Sequence, residues 1–169
     1  MKEKRTNPKT GYPISTKKQV ELAKSQIDFN NPAFATPNIY TNLTTDSEKL
    51  DFIIAFSKNV YYLGDYYYKS GEWDIAELEW LKLIYLMPKA IRRLAVLYKK
   101  EKRYRDIIEI YKESSKSIFI ARYYRGNEIS LNEMVAAKIN YTNHVIEDVS
   151  LLSDYDFDRL KALSPFPTT

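Results

Sequence analysis

Few residues in this chain are equipped for proton transfer or metal ligation. There is one histidine, His144, and no cysteine. A lone imidazole cannot build a multi-histidine metal site. Without thiols there is no disulfide, zinc–thiolate site, iron–sulfur cluster or cysteine nucleophile. His144 falls between Asn143 and Glu147 inside a helical pattern, where a structural role is expected. Asp154 and Asp158 could be imagined as a paired acid and base, but four residues apart on a short polar helix they read as a solvated face. Glycine occurs only as Gly11, Gly64, Gly71 and Gly126, so neither GxxxxGK[ST] nor GxGxxG can be assembled to cradle a phosphate. The inventory predicts a protein that is not an enzyme and holds no metal or cofactor.

Binding chemistry is better supplied. Residues 89–105 carry Lys89, Arg92, Arg93, Lys99, Lys100, Lys102, Arg103 and Arg105 against Glu101 alone. Residues 1–24 have a net charge of +5 and residues 126–169 a net of −4, within a total of +4. Such a cluster attracts nucleic acid or an acidic partner, unless the acidic C-terminal segment of the same chain lies against it. Tyr61, Tyr62, Tyr66, Tyr67 and Tyr68 fall within eight residues. A helix cannot bury all five on one face, so some must meet a groove, a cap or a partner.

The elements that position these groups read as helices throughout. At 169 residues, 44% hydrophobic and 28% charged, the chain is about one globular domain with a core of its own. Residues 1–14, with Pro8, Gly11 and Pro13 among charges, predict a flexible basic arm. Residues 15–44 predict a helix over 16–27, capped by Ser15, then an irregular connector pinned by Phe29, Phe34 and Tyr40. Thr45 to Glu48 is a capping-box pattern opening a long helix that Lys69-Ser-Gly71 stops. Trp73 to Met87 predicts the next helix, closed by Pro88, followed by helices over 89–100 and 104–115. Residues 117–164 predict C-terminal capping helices. One is a short piece ending at Gly126. Another opens at the Ser130–Glu133 box and runs to about 150 with Val135, Ile139, Ile146 and Val149 apolar. The last stops before Pro165.

An internal repeat is the most specific pattern. Leu63-Gly64-x-x-Tyr67 aligns with Leu94-Ala95-x-x-Tyr98 at an offset of 31, which also places Trp73 on Tyr104, Ala76 on Ile107 and Trp80 on Tyr111. This resembles the tetratricopeptide repeat over roughly residues 57–116, with helix pairs at 57–87 and 89–116. Departures are Val60 for the opening aromatic, Leu83 for a small residue, Ala95 for the glycine and Ile107 for the alanine. The resemblance implies an all-α fold, a short antiparallel helix-turn-helix repeat stack within 45–116. Small Gly64 and Ala95 would let paired helices approach. Tyr67, Trp73, Trp80, Tyr98, Tyr104 and Tyr111 would fill the space between units. The flanking helices would cap it with their apolar faces inward.

The family binds a peptide segment along a face lined by the first helix of each unit. Here that stripe is Tyr61, Asp65 and Tyr68, then Arg92, Val96 and Lys99, flanked by Lys89 and Arg93. The resemblance therefore implies a protein-binding adaptor for an acidic or C-terminal segment, with guanidinium forks suited to carboxylates. Lys89 and Arg93 match half of the family's carboxylate clamp, and Tyr61 and Asp65 stand where the other half would be. The alternative is a nucleic-acid-binding accessory protein, in which the basic arm and the 89–105 cluster, Lys2, Lys4, Arg5, Lys100 and Arg103 among them, contact phosphates while tyrosines stack on bases. Neither a span of about 18 apolar residues nor a secretory signal is found, so a cytoplasmic protein with no membrane partner is expected. A homo-oligomer stays open.

Overall fold

A computed structural model of the chain describes residues 6, 7, 10–31 and 43–163. Lys2, Lys4, Arg5, Lys9, Phe34, Tyr40 and Pro165 lie outside them. The described residues form eight helices and no named strand, so the fold is all-α. The chain divides into two compact units, Met1–Trp80 and Leu81–Thr169.

The first unit contains α1 (Lys17–Ser25), α2 (Asp46–Lys69) and α3 (Trp73–Leu81), whose last residue falls past the division. Thr16, not Ser15, caps α1, because Gln19 three residues on closes a reciprocal capping box with it. Ala23 and Ile27 are buried, and α1 packs on α2. Thr45 caps α2 as expected, but the Glu48 carboxylate reaches back to the Thr44 amide rather than to that of Thr45. Gly71 takes φ of 87°, a left-handed turn that only glycine adopts without strain. The described part of the basic arm is held against this turn. The Asn7 side-chain amide donates to the Gly71 carbonyl at 2.8 Å, and Tyr12 lies against Trp73.

Gly64 faces Trp80 so closely that a Cβ there would meet the indole Nε1 at 2.3 Å. That Nε1 donates to the Tyr61 carbonyl at 3.0 Å, a bond that closes the only polar atom of a side chain with no exposed surface. The paired helices approach where the sequence places its small residue.

The second unit contains α4 (Pro88–Lys100), α5 (Tyr104–Ser114), α6 (Ile118–Tyr123), α7 (Leu131–Asn143) and α8 (Asp154–Leu163). Its core is built on Leu83, Ile84, Leu86, Ile91, Leu94, Leu97, Tyr98 and Ile110, each at most 1% exposed. The helix expected from Trp73 to Met87 ends at Leu81. Leu83, Ile84, Tyr85 and Leu86 are all buried, which no single helix face permits, so the chain winds through hydrogen-bonded turns instead. Pro88 holds Met87 extended and then opens α4 from its N1 position.

The turn from α4 to α5 repeats the geometry of the turn from α2 to α3 at the 31-residue offset. The Arg103 amide donates to the Tyr98 carbonyl at 2.8 Å, as the Glu72 amide does to the Tyr67 carbonyl at 2.9 Å. Lys102, at φ of 60°, stands where the earlier turn has Gly71.

The helix expected over 130–150 ends at Asn143. The segment after it is pulled onto the start of α5, which has no side-chain cap of its own. Asp148 accepts from the Arg105 amide at 3.0 Å and the Ser150 hydroxyl from the Asp106 amide at 3.0 Å. The Asp106 carboxylate, with no exposed surface, accepts from the amides of Leu151 and Leu152 and from Arg103 Nε at 2.7 Å. These bonds satisfy helix-end amides that continuing α7 would leave open. Val135 and Ile139, expected to face inward, are 45% and 57% exposed, and Ala137 is the buried residue of α7.

Candidate functional site

Within the second unit, α4, α5 and α7 enclose an open groove of about 720 Å³. Arg92, Ala95, Val96 and Lys99 form the α4 wall. Ala136, Ile139, Asn140 and Asn143 form the α7 wall, and Ile107 and Tyr111 of α5 form the floor. The two walls run in the same direction. Arg92 meets Glu133 in the first turn of α7, while Lys102, past the end of α4, accepts from the Val149 amide, past the end of α7.

The α4 wall follows from the amphipathic pattern of that helix. Ala90, Ile91, Leu94, Leu97 and Tyr98 turn to the core, which leaves Arg92, Val96 and Lys99 on the opposite stripe. The α7 wall depends on the Ser130–Glu133 box, in which each residue caps the other's amide. Glu133 has a second task. Arg92 donates to both of its carboxylate oxygens at 3.0 Å, and also to the carbonyls of Asn127 and Glu128. The bidentate bond from Arg92 holds the Glu133 carboxyl below its ordinary value and raises the guanidinium. Burial raises the Tyr111 hydroxyl, so the floor stays uncharged at neutral pH.

The structure brings together three of the eight residues singled out from the sequence: Arg92, Val96 and Lys99. Arg92 is discharged on Glu133, and Lys99 is exposed and forms no ion pair among the described residues. Lys89 is exposed and Arg93 half-buried, and neither lines the groove. The other three lie in the first unit. Tyr61, expected on an exposed stripe, is only 8% exposed, because its ring packs against Trp80 and Tyr62. Asp65 is buried and accepts from Lys69 at 2.8 Å. Tyr68 is half-buried, stacked on Trp73 with 5.1 Å between centroids.

Part of the basic cluster is paired within the chain. Arg103 is 2% exposed, lies over the Tyr98 ring at 4.1 Å, and pairs with Asp106 and with Glu101. His144 stacks on Tyr104 at 4.5 Å and sets Nδ1 against the Asn140 carbonyl at 2.7 Å, which accounts for both its ring and one nitrogen. Among the described residues no group of His, Asp and Glu is arranged to hold a metal ion, and no helix is long and apolar enough to cross a membrane.

The α7 wall was not singled out from the sequence. Its signal is the pair Ala136-Ala137, small residues one helical turn past the capping Glu133. Comparison with protein-family models, with curated proteins and with solved structures gives no match.

Proposed function

We propose that the chain is a non-catalytic, cytoplasmic protein-binding adaptor that holds a partner segment in the groove of its second unit. The observation that carries this reading is the groove itself, with apolar walls at Val96 and Ile139 and a single uncompensated cation, Lys99, at its edge. Concave apolar surfaces with few convergent polar groups are where proteins bind ligands. The pairs α2–α3 and α4–α5 are read as tetratricopeptide-like units, supported by Gly64 against Trp80 and by the shared turn geometry.

The nucleic-acid alternative gains less support. Within the basic cluster it would use, Arg92 and Arg103 are already paired with carboxylates of the chain. A photo-cross-linking residue placed at Val96, in the cells that produce the protein, reads the occupant directly. Protein adducts that disappear when Ala95 is enlarged to Trp are the expected result. Adducts removed by nuclease, or none at Val96, would overturn the proposal.

A further inference from the structure

Resting on that protein-binding reading, we infer that the occupant is one amphipathic α-helix of a partner, apolar on its buried face and acidic where it passes Lys99. Three features of the groove lead there.

The first is shape. Both walls are helices of 13 residues, lined from Arg92 to Lys99 on one and from Glu133 to Asn143 on the other, so the trough between them is about 10–15 Å long. Ala95 and Ala136 face it from opposite walls, and their short side chains let a cylinder settle between α4 and α7.

The second is hydrogen bonding. In the middle of the trough Ala95, Val96, Ala136 and Ile139 offer no side-chain donor or acceptor; Arg92, Glu133 and Tyr111 stand at one end and Lys99, Asn140 and Asn143 at the other. An extended segment would bury its own N–H and C=O groups there without partners, whereas a helix arrives with them already paired. Ile139 also continues into the exposed row Leu131 and Val135, at 78% and 45% exposure, which widens the apolar surface to the ridge of α7. This is the helix-in-groove mode, in which anchors at i, i+4 and i+7 enter an apolar slot.

The third is charge. Arg92 and Glu133 cancel, Asn140 and Asn143 are neutral, and Lys99 is left as the net charge of the lining. A carboxylate on the incoming helix complements it, and a cation there is repelled.

The test uses a labelled peptide of about 14 residues, locked as a helix by a hydrocarbon staple, with Leu at i, i+4, i+7 and i+11 and Glu beside them. Three probes accompany it: the same helix with Lys for Glu, an unstapled peptide of the same composition interrupted by proline, and a single-stranded DNA oligomer. Fluorescence anisotropy against the full chain should show the acidic helix binding most tightly. Lys99→Glu should weaken it about tenfold and restore binding of the Lys helix. Ala136→Trp and Val96→Glu should each abolish binding while circular dichroism stays that of the parent.

If the proline-interrupted peptide binds as tightly as the helix, the helical occupant is overturned while the protein-binding reading stands. Silence from every peptide, or preference for DNA, overturns the inference, and the Val96 cross-link then decides the broader reading separately. Concentration-dependent dimerisation that Ala136→Trp removes would make the occupant a second copy of this chain, and would overturn it too.

Discussion

Gly64→Ala inverts a familiar sign. In an exposed helix interior this change gains about 1 kcal/mol, because alanine loses less backbone entropy than glycine. At Gly64 the added methyl carbon would stand 2.3 Å from Trp80 Nε1, 2.6 Å from Cδ1 and 2.7 Å from Cε2. Contacts under 3 Å cannot persist, so the indole must move, and it has no exposed surface toward which to move. Overpacking of this kind costs about 1–3 kcal/mol. Displacing the indole also breaks its bond to the Tyr61 carbonyl, and burying both groups unpaired costs about 1–3 kcal/mol more. After the propensity gain the net is a loss of about 1–5 kcal/mol, centred near 3. Urea or guanidinium midpoints at constant slope measure it. The three crowded atoms all belong to the five-membered ring, so in a Trp80→Phe background Gly64→Ala should cost at least about 1 kcal/mol less. A Gly64→Ala midpoint equal to or above the parent's, or no coupling to Trp80, would refute this account of why the helices meet at Gly64.

Asp106→Ala should destabilise by about 3–5 kcal/mol, since it strips a buried guanidinium of its nearest carboxylate and two amides of their acceptor. Hydrogen exchange at Leu151 and Leu152 should accelerate with it. Lys102→Gly should leave stability unchanged or raise it by up to about 1 kcal/mol, because Lys102 holds a left-handed φ of 60°; a loss in the denaturation midpoint would contradict that. Acid should weaken the second unit through two glutamates. Burial pushes the Glu113 carboxyl up, but bonds from Lys116, Tyr85 and Lys161 outweigh it, and Arg92 lowers Glu133. Both carboxyls are held below the ordinary 4.5, so the unfolded chain takes up protons first. Their contribution is full above that pH and lost as pH falls through the folded values. The thermal midpoint should therefore decline from about pH 4.5 downward, and less steeply in Glu113→Gln.

The helical character and most helix starts are legible in the sequence because caps and periodicity are local. Thr45 and the Ser130–Glu133 box begin helices where their chemistry requires, and Pro88, expected to close one helix, opens the next. The burial of Trp73, Trp80, Tyr98 and Tyr111 is legible too, since the 31-residue offset carries it. Helix ends are harder. Nothing near Leu81 or Asn143 stops a helix by itself. The first ends because four consecutive apolar residues must all be buried, and the second because Asp148 and Ser150 have partners on α5. Of the site, α4 supplies Arg92, Val96 and Lys99 by its own amphipathic stripe, whereas the α7 wall appears only when the chain folds back. Tyr61 misleads because its backbone carbonyl, invisible in a residue pattern, is what Trp80 seeks.

The capping of α5 by residues 148–152 sets an order of events. During synthesis the α4–α5 hairpin emerges with the amides of Arg105 and Asp106 still lacking partners, which arrive 43 and 44 residues later. The Asp106 carboxylate likewise waits 45 and 46 residues for the amides of Leu151 and Leu152. Closing a loop of that length costs chain entropy before any bond is gained, so the native start of α5 is a late event in folding. A chain that terminates at Glu147 therefore lacks more than an acidic tail. It carries an unfinished helix in the middle of the unit, and its nascent form exposes apolar surface for as long as the closing segment is missing.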